Sequence, residues 1–179
     1  MNSLRNFYFL RAGAAFIWVA LAFLSASAPA LVVGALLVLY PAWDALANVI
    51  DAQRSGGLLV NPGQKFNALT SIVTALCMAV AFALRGNAGG VLVFGVWALL
   101  AGLFQLAVGI RRRKLGGQAF MMISGAQSAL AGVHFAVKSF GAAPTIAQLA
   151  PYAAFGGLYF LLSALWLTFK RNRTDVAAE

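Results

Sequence analysis

The chain has 179 residues, of which 62% are hydrophobic and only 9% are charged. Roughly a quarter of the residues in soluble domains are charged, so this composition excludes a water-soluble globular protein. The apolar residues come in blocks of about 20, which is the length that crosses a hydrocarbon layer of roughly 30 Å. The net charge of +9 does not indicate nucleic-acid binding, because the basic residues lie between and after the apolar blocks.

The blocks predict an all-α, polytopic membrane protein with six transmembrane helices in a single domain over residues 1–179. The expected spans are 12–28, 31–50, 66–84, 91–110, 118–138 and 151–169, followed by a cytoplasmic tail at 170–179. The first block also resembles a secretory signal that ends at Ala26-Ser27-Ala28. Pro29 and a second apolar block follow at once, so we favour an uncleaved hairpin of two spans.

The positions of the basic residues predict the orientation. Of the 13 lysines and arginines, all except Arg85 and Lys138 fall on one side of the predicted spans. The positive-inside rule therefore predicts that both termini are cytoplasmic. The expected partners are the lipid bilayer and anionic lipid headgroups at the cytoplasmic face, not nucleic acid. A second copy of the chain is a further candidate partner.

Similar segments follow alternate spans and indicate an internal repeat. Residues 51–57 read Asp-Ala-Gln-Arg-Ser-Gly-Gly, and residues 111–117 read Arg-Arg-Arg-Lys-Leu-Gly-Gly. The two segments lie 60 residues apart, and a further step of 60 residues carries Arg111 onto Arg171. The pattern predicts three tandem two-helix hairpins at approximately 12–50, 66–110 and 118–169, with pseudo-threefold packing as one arrangement.

Small residues recur on one face of spans four and five. The glycines of these two faces are Gly95, Gly102 and Gly109 in span four, and Gly125 and Gly132 in span five. Helices in lipid approach each other closely through small residues. We therefore expect these glycines to serve helix packing.

A polar stripe runs along span two. Tyr40, Asp44 and Asn48 recur every four residues, so they share one helix face that descends towards the cytoplasm. An isolated carboxylate in hydrocarbon costs on the order of 3 kcal/mol on insertion scales. Two roles for Asp44 follow. It is either a proton or cation site, or a structural group satisfied by water or by a basic residue such as Arg11 or Lys65. We favour the structural role.

A second polar stripe follows span five. Ser124, Gln127, Ser128 and His134 recur along one side of this helix, and Gln105 lies on the small-residue face of span four. Histidine changes charge near neutral pH in water, which would suit acid sensing at the external face. The alternative, which we favour, is a hydrogen bond from His134 to a neighbouring helix.

The sequence carries no recognised catalytic motif. It has no nucleotide-binding glycine loop, no His-Glu-x-x-His and no serine nucleophile elbow. Cys77 is the only cysteine and His134 the only histidine, so we expect no intramolecular disulfide and no cysteine- or histidine-based metal centre. We predict a protein that is not an enzyme, with no catalytic residues, no metal and no cofactor.

The stretch 101–127, from Ala101-Gly-Leu-Phe-Gln through Arg-Arg-Arg-Lys-Leu-Gly-Gly to Ser-Gly-Ala-Gln127, resembles the HdeD-like family of bacterial acid-resistance membrane proteins. The resemblance implies an inner-membrane protein of six spans, built from short repeats and acting in stress or acid tolerance without catalysis. The rival hypothesis is a small transporter or channel in which Asp44, Gln105, Gln127 and His134 line a polar path. An enzyme acting on lipid is the third and weakest hypothesis.

Overall fold

All regular structure in the described part of the chain is helical. The computed structural model describes residues 2–111, 113–115, 119–141 and 144–176. The α-helices are α1 (Asn2–Leu24), α2 (Ala30–Arg54), α3 (Pro62–Arg111), α4 (Ala119–Lys138) and α5 (Ala150–Val176), with short 3-10 helices at Arg113–Leu115 and Ile146–Leu149. The predicted all-α class is therefore confirmed.

Four helical segments are long and apolar enough to cross a membrane. They are Leu4–Leu24, Ala30–Arg54, Pro62–Arg111 and Ile146–Phe169. The number differs from the six predicted spans because two of them, 66–84 and 91–110, lie within the single element α3, and because α4 is not among the four segments. The predicted span 118–138 corresponds to the 20-residue helix α4, and its first residue lies outside the described ranges.

Helix α3 is 50 residues long but is not straight. Gly86 interrupts it with φ 57° and ψ −142°, a backbone conformation that glycine adopts without the steric cost of a Cβ atom. The rings of Phe66 and Phe104 lie 4.9 Å apart, whereas in a straight helix these residues would be separated by roughly 57 Å. The N-terminal segment (62–85) therefore folds back against the C-terminal segment (87–111).

The main packing partners are α1 with α5, α2 with α3, and α3 with α4. Each pair is antiparallel, as the contacts of Arg11 with Phe160 and of Gly157 with Ala15 show for α1 and α5. Helix α1 thus packs more extensively on α5 than on α2, its partner in the predicted hairpin. The repeat itself stays a prediction, since residues 112, 116 and 117 of its motif lie outside the described ranges.

The glycines of α3 and α4 bring these two helices into backbone contact. A Cβ atom on Gly95 would lie 2.6 Å from the amide nitrogen of Ala136, and one on Gly125 would lie 2.7 Å from that of Leu106. Gly132 similarly faces the Gly95 carbonyl, and Gly102 faces the Gly125 carbonyl. Gly109 is also buried. The two small-residue faces recognised in the sequence therefore lie against each other.

The connection between α2 and α3 is held by capping interactions. Gly56 and Gly57 have φ values of 99° and 95°. The Gly57 amide donates a hydrogen bond to the carbonyl of Ala52, and this bond caps the C-terminal end of α2. The side-chain amide of Asn61 donates to the carbonyls of Ser55 at 2.9 Å and of Gly57 at 2.8 Å. Pro62 then starts α3, a position at which proline is favoured.

The helices run alternately in opposite directions, so the bundle has two distinct ends. We call the end with the start of α1 and the 55–61 loop the base, and the end with residues 25–29 and Gly86 the top. The largest apolar cluster lies towards the top and includes Trp18, Leu37 and Met78. The candidate site extends from the base of the bundle up to the start of α5.

Candidate functional site

Asp44 is the centre of a hydrogen-bonded cluster that joins α1, α2 and α3. Its Oδ1 accepts from Nη2 of Arg11 at 2.7 Å, and its Oδ2 accepts from Oγ of Ser71 at 2.7 Å. The side-chain amide of Asn48 donates to Oδ2 at 3.1 Å and to the backbone carbonyl of Asp44 at 2.8 Å. The basic partner is thus Arg11, one of the two candidates considered from the sequence.

The pair is mostly shielded from solvent, since the Arg11 and Asp44 side chains are 14% and 24% exposed. Burying two charges is tolerated when they bond to each other and the remaining lone pairs are satisfied. The guanidinium of Arg11 also lies 4.0 Å from the centre of the Phe160 ring, a cation–π contact with α5. The arginine side chain therefore links α5 to the Asp44 cluster.

A cavity of about 1020 Å³ lies beside this cluster. Its lining includes all eight polar residues of the stripes predicted from the sequence and of span four: Tyr40, Asp44, Asn48, Gln105, Ser124, Gln127, Ser128 and His134. Every α-helix contributes to the wall, and α3 does so from both of its segments. The cavity is at the upper end of the 300–1,000 Å³ range of small-molecule sites.

The remaining lining includes eight aromatic residues. Among them are Phe66, Trp97, Phe104, Phe155, Tyr159 and Phe160. Sequence reasoning did not assign these residues to a site, because aromatic residues in an apolar span also suit lipid contact or helix packing. A signal was nevertheless present in α5, where Tyr152, Phe155 and Tyr159 share one helix face.

An aromatic cluster lies beside the cavity. The Phe94 ring lies 5.7 Å from Tyr40, 5.5 Å from Trp97 and 5.4 Å from Tyr152. Phe94 itself is fully buried and belongs to the apolar cluster towards the top. Exposed residues line the cavity towards the base, at Gly63 and Val108, and towards the top, at His134 and Gln148.

The polar stripe of α4 faces α5 across the cavity. Ser128 Oγ donates to the carbonyl of Ala98 at 3.0 Å and lies 2.8 Å from the Tyr152 hydroxyl. The Tyr159 hydroxyl donates to Oε1 of Gln127 at 3.2 Å. His134 is exposed on the cavity wall, with its ring 5.8 Å from that of Phe135.

Among the described residues, no group of three or more His, Cys, Asp or Glu side chains is arranged to hold a metal ion. Cys77 is exposed and forms no disulfide. The wall instead presents amides, hydroxyls, aromatic rings and one internally paired arginine and aspartate. This arrangement is suited to enclosing a small organic molecule through hydrogen bonds and apolar contact.

Comparison with known proteins identifies no relative: no protein-family model, curated protein or solved structure matches the chain.

Proposed function

We propose that this chain is a six-span inner-membrane protein, with both termini cytoplasmic, that acts as a small transporter. The reversal at Gly86 supports six spans, because each segment of α3 is long enough to cross a bilayer by itself. Helix α4, with 20 residues, is also of sufficient length. The exposed basic residues Arg113 and Lys114 would then meet anionic lipid headgroups at the cytoplasmic face.

The pairing of the helices supports an origin from three two-helix units. Helix α2 packs on the first segment of α3, the second segment packs on α4, and α5 returns to α1. In this ring, the second helix of each unit contacts the first helix of the next unit. A pseudo-threefold arrangement around a central cavity would have this pairing.

The observation that carries the transport proposal is the convergence of polar side chains on one cavity. Asp44, Gln105 and Gln127 come from three different helices, yet they line the same space. Packing alone does not require a large cavity, since helix interfaces are normally filled at close to crystal density. A cavity with polar groups on several helices supports a solute-binding role.

A bending point in α2 favours a carrier over an open channel. Exposed residues line the cavity at the base, where Gly63 and Val108 lie, and near the top, where His134 and Gln148 lie, so a carrier has to close one of these ends. In a carrier, the site is accessible from one side at a time and becomes accessible from the other after a rearrangement. Pro41, inside α2 between Tyr40 and Asp44, lacks a donor for the helix ladder and provides a point for such bending.

The test is proton flux in proteoliposomes under an imposed pH gradient. Protein-containing vesicles should dissipate the pH gradient faster than empty vesicles. Asp44→Asn should abolish this additional proton flux, because an asparagine amide does not take up and release a proton as a carboxylate does. The matched control is Asp51→Asn, which alters a carboxylate of the same helix that accepts from Gln64 at 3.2 Å outside the cavity wall. Asp51→Asn should retain the wild-type flux.

Two results would contradict the proposal. One is a wild-type flux equal to that of empty vesicles although the protein is folded and inserted. The other is an equal loss of flux in the Asp44→Asn and Asp51→Asn variants, which would indicate a general loss of structure. Monodisperse elution of each variant before reconstitution separates folding defects from loss of the site.

The second candidate is the stress- or acid-tolerance role that the resemblance to HdeD-like proteins implies, without enzymatic activity. The exposure of His134 on the cavity wall favours it, because histidine is the side chain that changes charge between pH 5 and 8. Cells that lack the protein should survive a low-pH challenge less well, and a His134→Gln copy should fail to restore survival. Equal survival with and without the gene would remove this candidate.

A further inference from the structure

The gap between α4 and α5 is a loosely packed side of the cavity. In the described ranges, these two helices have little backbone contact, whereas α1 packs closely on α5 and α3 on α4. The gap is bridged by two side-chain hydrogen bonds, Ser128 with Tyr152 and Gln127 with Tyr159, and by the rings of Phe135 and Tyr152, which lie 6.0 Å apart. Side-chain hydrogen bonds of this kind can open without moving either helix.

The outer surface beside the gap is apolar. Leu130 and Val137 on α4 are 72% and 66% exposed, and Leu162 and Trp166 on α5 are 53% and 71% exposed. In a membrane protein, such surfaces face lipid chains. A gap with these flanks connects the cavity with the hydrocarbon phase and not with bulk water.

The chemistry of the wall limits what the cavity can hold. Among the described lining residues, the acidic and basic side chains other than His134 are Arg11 and Asp44, which form a direct ion pair. A ligand with a net charge would leave that charge without a partner in a site of low dielectric. An uncharged ligand avoids this cost.

The wall also divides into polar and apolar regions. Amide and hydroxyl groups from Gln105, Ser124 and Gln127 lie among the lining residues, and the rings of Phe104 and Phe155 provide apolar contact. One molecule can satisfy both regions if it has a polar head with carbonyl or hydroxyl groups and an apolar chain. The size of the cavity suits such a molecule.

We infer that the cavity binds an uncharged amphiphile that reaches it laterally from the lipid bilayer, through the gap between α4 and α5. This inference rests on the proposed function and names its substrate class. The amide and hydroxyl side chains bind the polar head, and the apolar chain lies along the aromatic wall towards the gap. The carrier would accordingly take its substrate from the membrane and not from solution.

The experiment measures quenching of Trp97, which lines the cavity. Trp43 and Trp166 are replaced by phenylalanine to reduce background, and the protein is reconstituted in lipid nanodiscs. Three nitroxide probes are compared: an uncharged hydroxylated nitroxide with a dodecyl chain, the same head without the chain, and the same chain on a trimethylammonium head. Non-specific quenching rises linearly with the probe in the bilayer, so binding appears as a saturable component.

The expected result is saturable quenching by the uncharged dodecyl probe, with an apparent affinity at least tenfold tighter than that of the cationic probe. The Trp97→Phe variant should lose the saturable component. The chainless head should give none. Filling the gap side of the cavity with Ala131→Phe should weaken binding at least tenfold, whereas Val133→Phe, which adds the same ring to an exposed position outside the cavity, should not.

Each contrary outcome overturns a defined part of the inference. Saturable quenching by the chainless head would refute the need for an apolar chain and for entry from the bilayer, and tighter binding of the cationic probe would refute an uncharged ligand. No saturable quenching by any probe would refute the substrate class. Proton flux is measured separately, on the wild-type protein without probes. Flux without amphiphile binding would leave the transport proposal standing. Amphiphile binding without flux would refute transport alone.

Discussion

Gly102 and Gly13 allow the same substitution to be made in opposite environments. Gly102 lies at the backbone contact between α3 and α4, where an added Cβ would be 2.5 Å from the carbonyl oxygen of Gly125 and 2.9 Å from Cα of Ala129. Gly13 lies within α1, where an added Cβ would meet nothing within 4 Å. We predict that alanine destabilises the protein at residue 102 and does not destabilise it at residue 13.

The magnitude follows from the distances. An ordinary carbon–oxygen contact requires roughly 3.4 Å, so alanine at residue 102 would push the helices apart by up to about 0.9 Å unless the backbone shifts. A gap of 0.5–1 Å already loses about a quarter to a half of the dispersion energy of the contacts concerned. Overpacking of this kind costs ~1–3 kcal/mol, and the better helix propensity of alanine returns at most ~1 kcal/mol.

The assay is equilibrium unfolding by SDS in mixed micelles, followed by tryptophan fluorescence. Gly102→Ala should lower the free energy of unfolding by about 1–2 kcal/mol, which is a five- to thirtyfold change in the unfolding equilibrium. Gly13→Ala should leave it unchanged or raise it by up to ~1 kcal/mol. A Gly102→Ala protein as stable as the wild type would refute the close backbone contact, and equal losses at both positions would refute the steric explanation.

Two further predictions concern the cavity and its ion pair. Asp44→Asn should lower the free energy of unfolding by about 2–4 kcal/mol because it leaves the mostly buried charge of Arg11 unpaired. The double variant Arg11→Gln/Asp44→Asn should be less destabilised than the sum of the two single variants. Strictly additive losses of the free energy of unfolding, measured in SDS, would contradict the pairing. In a Cys77→Ser background, Gln105→Cys should react with a membrane-impermeant maleimide because residue 105 lines the cavity, while the lipid-facing control Val96→Cys should not react. A folded Gln105→Cys protein that does not react would contradict a cavity open to water.

The sequence could predict features that depend on spacing within one helix. The four-residue spacing of Tyr40, Asp44 and Asn48 puts them on one side of α2 whatever surrounds it, and the structure has them on one wall. Likewise, the glycines of α3 and α4 identify faces on which another backbone can approach closely. The all-α class followed from composition alone, because apolar blocks of this length leave few alternatives.

Features that join distant parts of the chain could not be predicted in this way. Both Arg11 and Lys65 were candidates for pairing with Asp44, and only the packing of α1 beside α2 selects Arg11. The turn at Gly86 was expected between two spans, but Gly86, Gly89 and Gly90 lie close together there, and the sequence does not say which of them adopts the positive φ.

The amino-acid sequence by itself therefore determined that this is a helical, membrane-type protein with polar stripes on particular helix faces. The tertiary structure decided that the stripes of α2, α3 and α4 meet an unrecognised aromatic face of α5 around one cavity. The physical reason is that the helical period fixes which side chains share a face, whereas neighbouring faces are selected by the packing of the whole bundle. Since many apolar faces are chemically alike, only the assembled fold distinguishes a face that packs from one that lines a cavity.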